Sequence, residues 1–298
     1  MDRLATVSTP VYEARSAWAE PTVDHRSSLL NRYGPPLAVD RAALDELLRE
    51  AAREAGVRLV RAHAKPVAGP DGGWLVPGLE NPVPVVVDAT GTARAVSRAR
   101  LRWHGVDRLR YTIWQTRPAD RLPQPWSLVE AAPDGWWYSA PTPGSERLTV
   151  MQVQDTAGRA PQLPPPRTSE RLAHRSLPRP AAQRVAVVGC AGPPWTAGLV
   201  AVGDAALSVD PLSSSGLRHA LELAGPASEA ALGLLHGDER PADDYARAVR
   251  HAFLKHLADR QFFHAAATRY QTAAFWSHRS DLEHMRLADA QSGHRSGV

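Results

Sequence analysis

The segment LVAVGDAALSVDPLSSSGLRHALELA, residues 199–224, holds the residue types whose spacing best suits chemistry. A short apolar strand delivers an acid, Asp204, to the carboxyl edge of a sheet, where open α/β folds bind ligands. Pro211 and the serines Ser213, Ser214 and Ser215 follow in a loop that presents backbone N–H groups ahead of a helix, which favours an anion or a polarised carbonyl. Gly216 has no Cβ and lets a flat group approach the backbone. An acid for a sugar-like diol and N–H donors for negative charge suit the ribityl chain and ring of a flavin. The same pattern also suits an ordinary strand–loop–helix with a solvated aspartate.

Other chemistries are excluded by inspection. Of the 35 basic residues only Lys65 and Lys255 are lysines; Pro66 and His256 follow them, so neither completes a GxxxxGK[ST] phosphate loop. GxSxG, HExxH and CxxC do not occur. His251 and His256 project from different faces of a helix and make a poor metal pair. The single thiol, Cys190, follows an apolar run and reads as a small buried residue, and nothing requires an oxidising compartment. The arginines are interleaved with acids, as in RAALDELLREAAREAG, so the net charge of +4 describes solvated helix faces and not a nucleic-acid stripe. No stretch approaches 18 uncharged apolar residues and no signal peptide is visible, so a cytoplasmic protein without a membrane partner is expected. With 298 residues, 43% of them apolar, the chain is long enough for a substantial core.

The elements that must position the loop are legible in outline. Residues 40–55 form a helix, with Asp40 as N-cap, Leu44, Leu47, Leu48 and Ala51 as its apolar stripe, and Gly56 beyond its end. Strands are expected at residues 57–62, 74–76 and 83–87, the last an apolar run buried on both faces. From 101 to 155 alternation and aromatics predict an antiparallel β-layer, with turns at Pro133-Asp134-Gly135 and Pro143-Gly144-Ser145. A proline-rich connector and a short helix near 168–174 follow. Strands at 185–188 and 199–202 restore the α/β pattern, and a long helix from about Ala242 carries Tyr245, Val249, Phe253 and Leu257 on one face. The tail after Gln291 is expected to fray.

Residues 199–224 resemble the second flavin motif of FAD-dependent aromatic hydroxylases and flavin-dependent halogenases. DGWWYSAPTPG (residues 134–144), VDATG (87–91) and GDAALSVDPLSSSG (203–216) together resemble flavoproteins that oxidise a tryptophan of a partner protein during tryptophylquinone maturation. The resemblance implies an α/β fold: an incomplete Rossmann-like FAD-binding domain of aromatic-hydroxylase type (residues 1–100 and 183–238), an inserted antiparallel β-sheet substrate domain (101–182) and a C-terminal helical segment (239–298). It implies that Asp204 binds the ribityl hydroxyls and that Pro211, Ser213, Ser214, Ser215 and Gly216 lie along the pyrophosphate and ring. Arg41 matches an FAD-contacting arginine, although a solvated first-turn arginine accounts for it equally. Asp88 to Gly91 match a supporting turn near the cofactor. Trp136 and Trp137 fall where halogenases carry a tryptophan-rich strand beside the substrate. Period-two alternation sends these neighbours to opposite faces, so at most one faces a cavity and a core role suits either.

One part of that pattern is missing. The first 60 residues contain only Gly34 and Gly56, so no strand–GxGxxG–helix unit can be built from them. An upstream start, a shortened gene or a second chain would each account for this, and weak or undetectable FAD binding by this chain alone is expected. The resemblance implies a monooxygenase-type oxidoreductase acting on an aromatic small molecule or a peptidyl tryptophan. A halogenase is the nearest alternative, although neither lysine matches the lysine that carries hypohalous acid in such enzymes. A non-catalytic binding or assembly protein is the alternative from another class. No side chain stands out as an acid–base catalyst.

Overall fold

The structure, a computed structural model, describes residues 2–62, 65–69, 73–120, 125–158, 163–173 and 177–279. The tail after Gln291 lies outside the described residues. The fold is mixed α/β, as expected, and the chain divides into two compact units: residues 1–60, 110–185 and 264–279, and residues 61–109, 186–263 and 280–298.

The first unit is built on the β-layer. Its strands run in the order Trp103–Thr116 (from residue 110), Leu148–Asp155, Gly135–Pro141, Trp126–Ala132, Glu13–Ala17 and Asp24–Ser27. Trp126–Ala132 and Gly135–Pro141 form an antiparallel hairpin with Ala132 opposite Gly135. Its tightness depends on glycine: Gly135 has φ +148, and a Cβ there would stand 2.0 Å from the Val153 carbonyl oxygen. Gly135–Pro141 then pairs antiparallel with Leu148–Asp155. Glu13–Ala17 lies parallel to Trp126–Ala132, with Arg15 opposite Leu128, so these early residues extend the β-layer. Their polar composition hid them from pattern reading, because a strand whose side chains end in ion pairs has no apolar alternation.

The helix Arg41–Glu54 forms as expected. The Asp40 carboxylate accepts hydrogen bonds from the Ala42 and Ala43 amides at 2.9 and 3.1 Å. The strand expected at 57–62 does not form, and Val57, Leu59 and Val60 are exposed. Alternation sorts residues between faces, but a strand also needs a neighbour to pair with.

The second unit holds the α/β element. Val86–Asp88 runs parallel to Leu199–Ala201, with Leu199 opposite Val86 and Ala201 opposite Asp88. Trp195–Thr196 pairs antiparallel on the other side. The expected buried strand at 83–87 is thus corrected to three residues, Val86–Asp88, with Val87 exposed. The apolar run at 185–188 belongs to a longer strand, Ala182–Ala191, which pairs antiparallel with Leu207–Ser208. The helices Ala224–Leu235 and Arg240–Ala266 cover the sheet with Ala227, Ala230, Tyr245, Val249, Phe253 and Leu257. Tyr245 places its hydroxyl 2.8 Å from the Ala201 carbonyl and donates to it. Among the described residues no helix is long and apolar enough to cross a membrane.

Candidate functional site

The carboxyl edge of the parallel pair carries two acids with opposite situations. Asp88 ends its strand and is buried. One carboxylate oxygen accepts from the Thr90 amide (3.0 Å) and hydroxyl (2.6 Å), the other from the Val96 and Ser97 amides (3.1 and 2.7 Å). Burial opposes its charge, but the hydrogen bonds from Thr90 and Ser97 outweigh that cost and hold its pKa below the ordinary carboxylate value. Asp88 therefore shapes the DATG turn, and its acceptor capacity is spent within the chain. Asp204 sits one turn beyond the neighbouring strand, in the 3₁₀ turn Gly203–Ala205, and is exposed.

The segment 210–216 is held by a buried ionic network. Asp210 caps the 3₁₀ turn Pro211–Ser213 by accepting from the Leu212 amide at 2.9 Å. Its other carboxylate oxygen accepts from Arg260 Nε at 2.7 Å, and Arg260 also pairs with Asp107. The Asp210 amide donates to His256 Nε2 at 3.0 Å. That bond requires an unprotonated Nε2, in keeping with the His256 pKa, which burial lowers to about 4. Ser213 Oγ bonds the Asp210 carbonyl at 2.9 Å and lies 2.7 Å from Ser215 Oγ. Ser214 is left-handed, with φ +48, an uncommon conformation for a residue bearing a Cβ, and such residues concentrate at functional loops.

Beyond Ser214 the backbone opens. The Ser214 amide is taken by the Pro211 carbonyl, but those of Ser215, Gly216 and Leu217 meet no acceptor among the described residues. The helix Gly216–Glu222 has seven residues, so it carries little dipole, and the donors themselves have to do the binding. A Cβ on Gly216 would meet only Val209 Cγ2, at 3.8 Å, an ordinary contact. Packing within the chain therefore does not require glycine here, and its absent side chain leaves clear space beside free N–H donors. One turn along, His219 is buried with Nδ1 unpartnered, and burial, then Arg218, lowers its pKa. Residues 203–216 thus offer an exposed acid near their start and open amides near their end, groups that suit hydroxyl donors and an anion respectively.

The remaining expected residues fall elsewhere. Arg41, in the first unit, is exposed and pairs with Asp45 at 3.5 Å, the geometry of a solvated first-turn arginine. Trp136 and Trp137, each 1% exposed, are both packed into the first unit. Trp137 stacks on Trp114 with ring centroids 5.6 Å apart, and Trp136 keeps its Nε1 buried without a hydrogen-bond partner. Cys190 is buried in the second unit, its thiol pushed up to about 12, which makes it unreactive. Lys65 is exposed, and Lys255 pairs with Asp259 at 2.8 Å on an exposed helix face.

Sequence reasoning missed the network of Asp107, Arg260 and His256. A signal existed: Arg260 continues the apolar stripe of Val249, Phe253 and Leu257 at helical spacing, and His256 stands four residues before it. A charged residue on a core-facing stripe implies a buried partner, although spacing cannot name that partner.

The tryptophan halogenase family model matches residues 2–292. Similar solved structures include the peptidyl tryptophan dihydroxylase QhpG, essential for tryptophylquinone cofactor biogenesis (TM-score 0.73, 23% identity, covering 93% of this chain and 65% of that one). The myxobacterial chondrochloren halogenase CndH, a variant of FAD-dependent halogenases, gives a TM-score of 0.68 at 20% identity, covering 100% and 77%. BrvH, a flavin-dependent halogenase from Brevundimonas sp. BAL3, gives 0.69 at 15%, covering 94% and 70%. No curated protein sequence matches. The chain therefore spans 65% of the dihydroxylase's length and shares its fold and that of the halogenases.

Proposed function

Given that this chain belongs to the tryptophan halogenase family, we propose that it serves a flavin-dependent oxidoreductase of monooxygenase type that hydroxylates an aromatic substrate, a tryptophan of a partner protein. The observation that carries the flavin part is the loop 210–216: open amides at Ser215 and Gly216, beside a glycine that the fold itself does not need. The substrate part rests on the likeness to the peptidyl tryptophan dihydroxylase.

When bound, reduced flavin supplies the oxygen chemistry, and the protein contributes binding, orientation and exclusion of water. Asp204 would take the ribityl hydroxyls, and the amides of Ser215 and Gly216, with Pro211, Ser213 and Ser214 beside them, would hold the pyrophosphate and ring along this loop. Asp210, Arg260 and His256 act through the loop and keep those donors aimed.

Two measurements test this reading. Titration of the full chain with FAD, followed by flavin fluorescence up to millimolar concentration, is expected to show saturable but weak binding. Gly216→Ala should weaken it at least tenfold while stability stays within about 0.5 kcal/mol of the parent. Saturable binding that Gly216→Ala leaves unchanged would sink the assignment of flavin to this loop. In the second measurement, chemically reduced FAD, oxygen and a tryptophan-containing peptide are combined with and without chloride. Oxygen incorporation independent of chloride is expected. Chloride-dependent chlorination would establish the second reading, a halogenase, which the family description favours and the surface positions of Lys65 and Lys255 do not.

A further inference from the structure

The first unit contains a cavity of about 320 Å³ lined by residues of the paired strands Glu13–Ala17 and Trp126–Ala132 and of the short helix Pro166–Glu170. Arg171, the residue after that helix, lines it and is only 8% exposed. Its Nη1 donates to the carbonyl and hydroxyl of Ser139 at 2.8 and 2.7 Å, and its Nη2 to the Trp126 carbonyl at 3.0 Å. Its guanidinium plane covers the Trp126 ring at 3.6 Å, and Arg15 covers the same ring at 3.9 Å. All these partners are neutral. Among the described residues Arg171 meets no carboxylate, and its Nε–H has no acceptor. A buried guanidinium without a counter-charge is a costly thing for a fold to keep, and packing alone would be served as well by a leucine or methionine.

The other cations around the cavity are already matched. Arg15 pairs through Nε and Nη2 with Glu13 at 3.0 and 3.1 Å, His25 meets the same carboxylate, and Arg167 Nη1 contacts both oxygens of Glu170 at 3.1 and 3.2 Å. Glu170 and Asp120 are exposed at the cavity rim, where they discourage a multiply charged anion. Leu128, Leu148, Val23 and Pro118 supply apolar wall. The site thus combines one unmatched buried cation, apolar sides and room for a single ring-sized body.

We propose that this cavity binds a small organic monocarboxylate with an apolar body, the carboxylate pairing with Arg171 and the body resting on Leu128 and Leu148. A guanidinium presents donors in a fork that suits a carboxylate, and the pair is strengthened by desolvation. The site is separate in residues from the flavin loop and stands whether or not the flavin reading does.

Calorimetric titration of the full chain with benzoate and its uncharged isostere benzamide tests it. Benzoate is expected to bind at least tenfold more tightly than benzamide, and saturating FAD should leave its affinity unchanged. Arg171→Met should remove the preference for the charged ligand. Ala119→Trp, which adds bulk at the exposed mouth of the cavity and keeps the amide that donates to the Arg171 carbonyl at 2.8 Å, should weaken benzoate at least tenfold and decides the matter should the Arg171 variant fail to fold. The proposal is overturned by equal affinity for benzoate and benzamide, by absence of binding, by displacement with FAD, or by full benzoate affinity in Ala119→Trp.

Discussion

Asp88 shows how one carboxylate can organise a turn. Replacing it with asparagine puts an amide N–H₂ where two backbone amides expect an acceptor, so Asp88→Asn should cost about 3 kcal/mol in urea unfolding at pH 7. Its pKa is depressed in the fold, so its contribution is present above the ordinary carboxylate pKa of 3.8 and disappears as pH falls below that range. His256 acts over a different window. Burial lowers its folded pKa to about 4 from 6.5, and the unfolded chain therefore binds a proton first as pH falls. Stability should be lost between pH 6.5 and 4 at roughly 1 kcal/mol per pH unit. The groups facing this ring are Asp210, Arg260, His219 and Asp259, and their titration is common to both proteins when the parent is compared with His256→Gln. Urea unfolding from pH 7 to pH 4.5 should give the variant a shallower acid limb, and identical limbs would show that the histidine is not held neutral. Asp88 was visible in the sequence as part of a turn, but its four donors were not, because those from Val96 and Ser97 arrive from beyond the turn itself.

At the scale of elements, local chemistry decided the helices. Asp40 closes the first turn of Arg41–Glu54 with two hydrogen bonds, and Asp40→Ala should cost about 1 kcal/mol, read as a fall in thermal midpoint with little change in fold. The long helix Arg240–Ala266 buries Tyr245, Val249, Phe253 and Leu257, the stripe that helical spacing predicts. Strands were less legible. The β-layer from Trp103–Thr116 to Leu148–Asp155 announced itself through alternation and turn residues. Glu13–Ala17 gave no such signal, and residues 57–62 gave one that the fold did not use. Whether a segment becomes a strand depends on which neighbour it finds, and that neighbour lies outside any local window.

For the whole molecule, the strands Trp103–Thr116 and Ala182–Ala191 each contribute residues to both compact units. Unfolding one unit would therefore have to break a continuous strand, and scanning calorimetry should show a single transition whose calorimetric and van't Hoff enthalpies agree. Two resolved transitions would mean that those strands part near residues 109 and 185. The sequence alone determined the mixed α/β character, the capped helix, the apolar stripe of the long helix and the linear GD…DPLSSSG element, because each depends on residues a few positions apart. Tertiary structure alone decided that Arg260 reaches Asp107, 153 residues away, that Arg171 is enclosed beside Trp126 without a counter-charge, and that Trp136 and Trp137 are both buried. Such pairings follow from competition among all segments for burial and hydrogen-bond partners, and nothing in a short stretch of chain records its outcome.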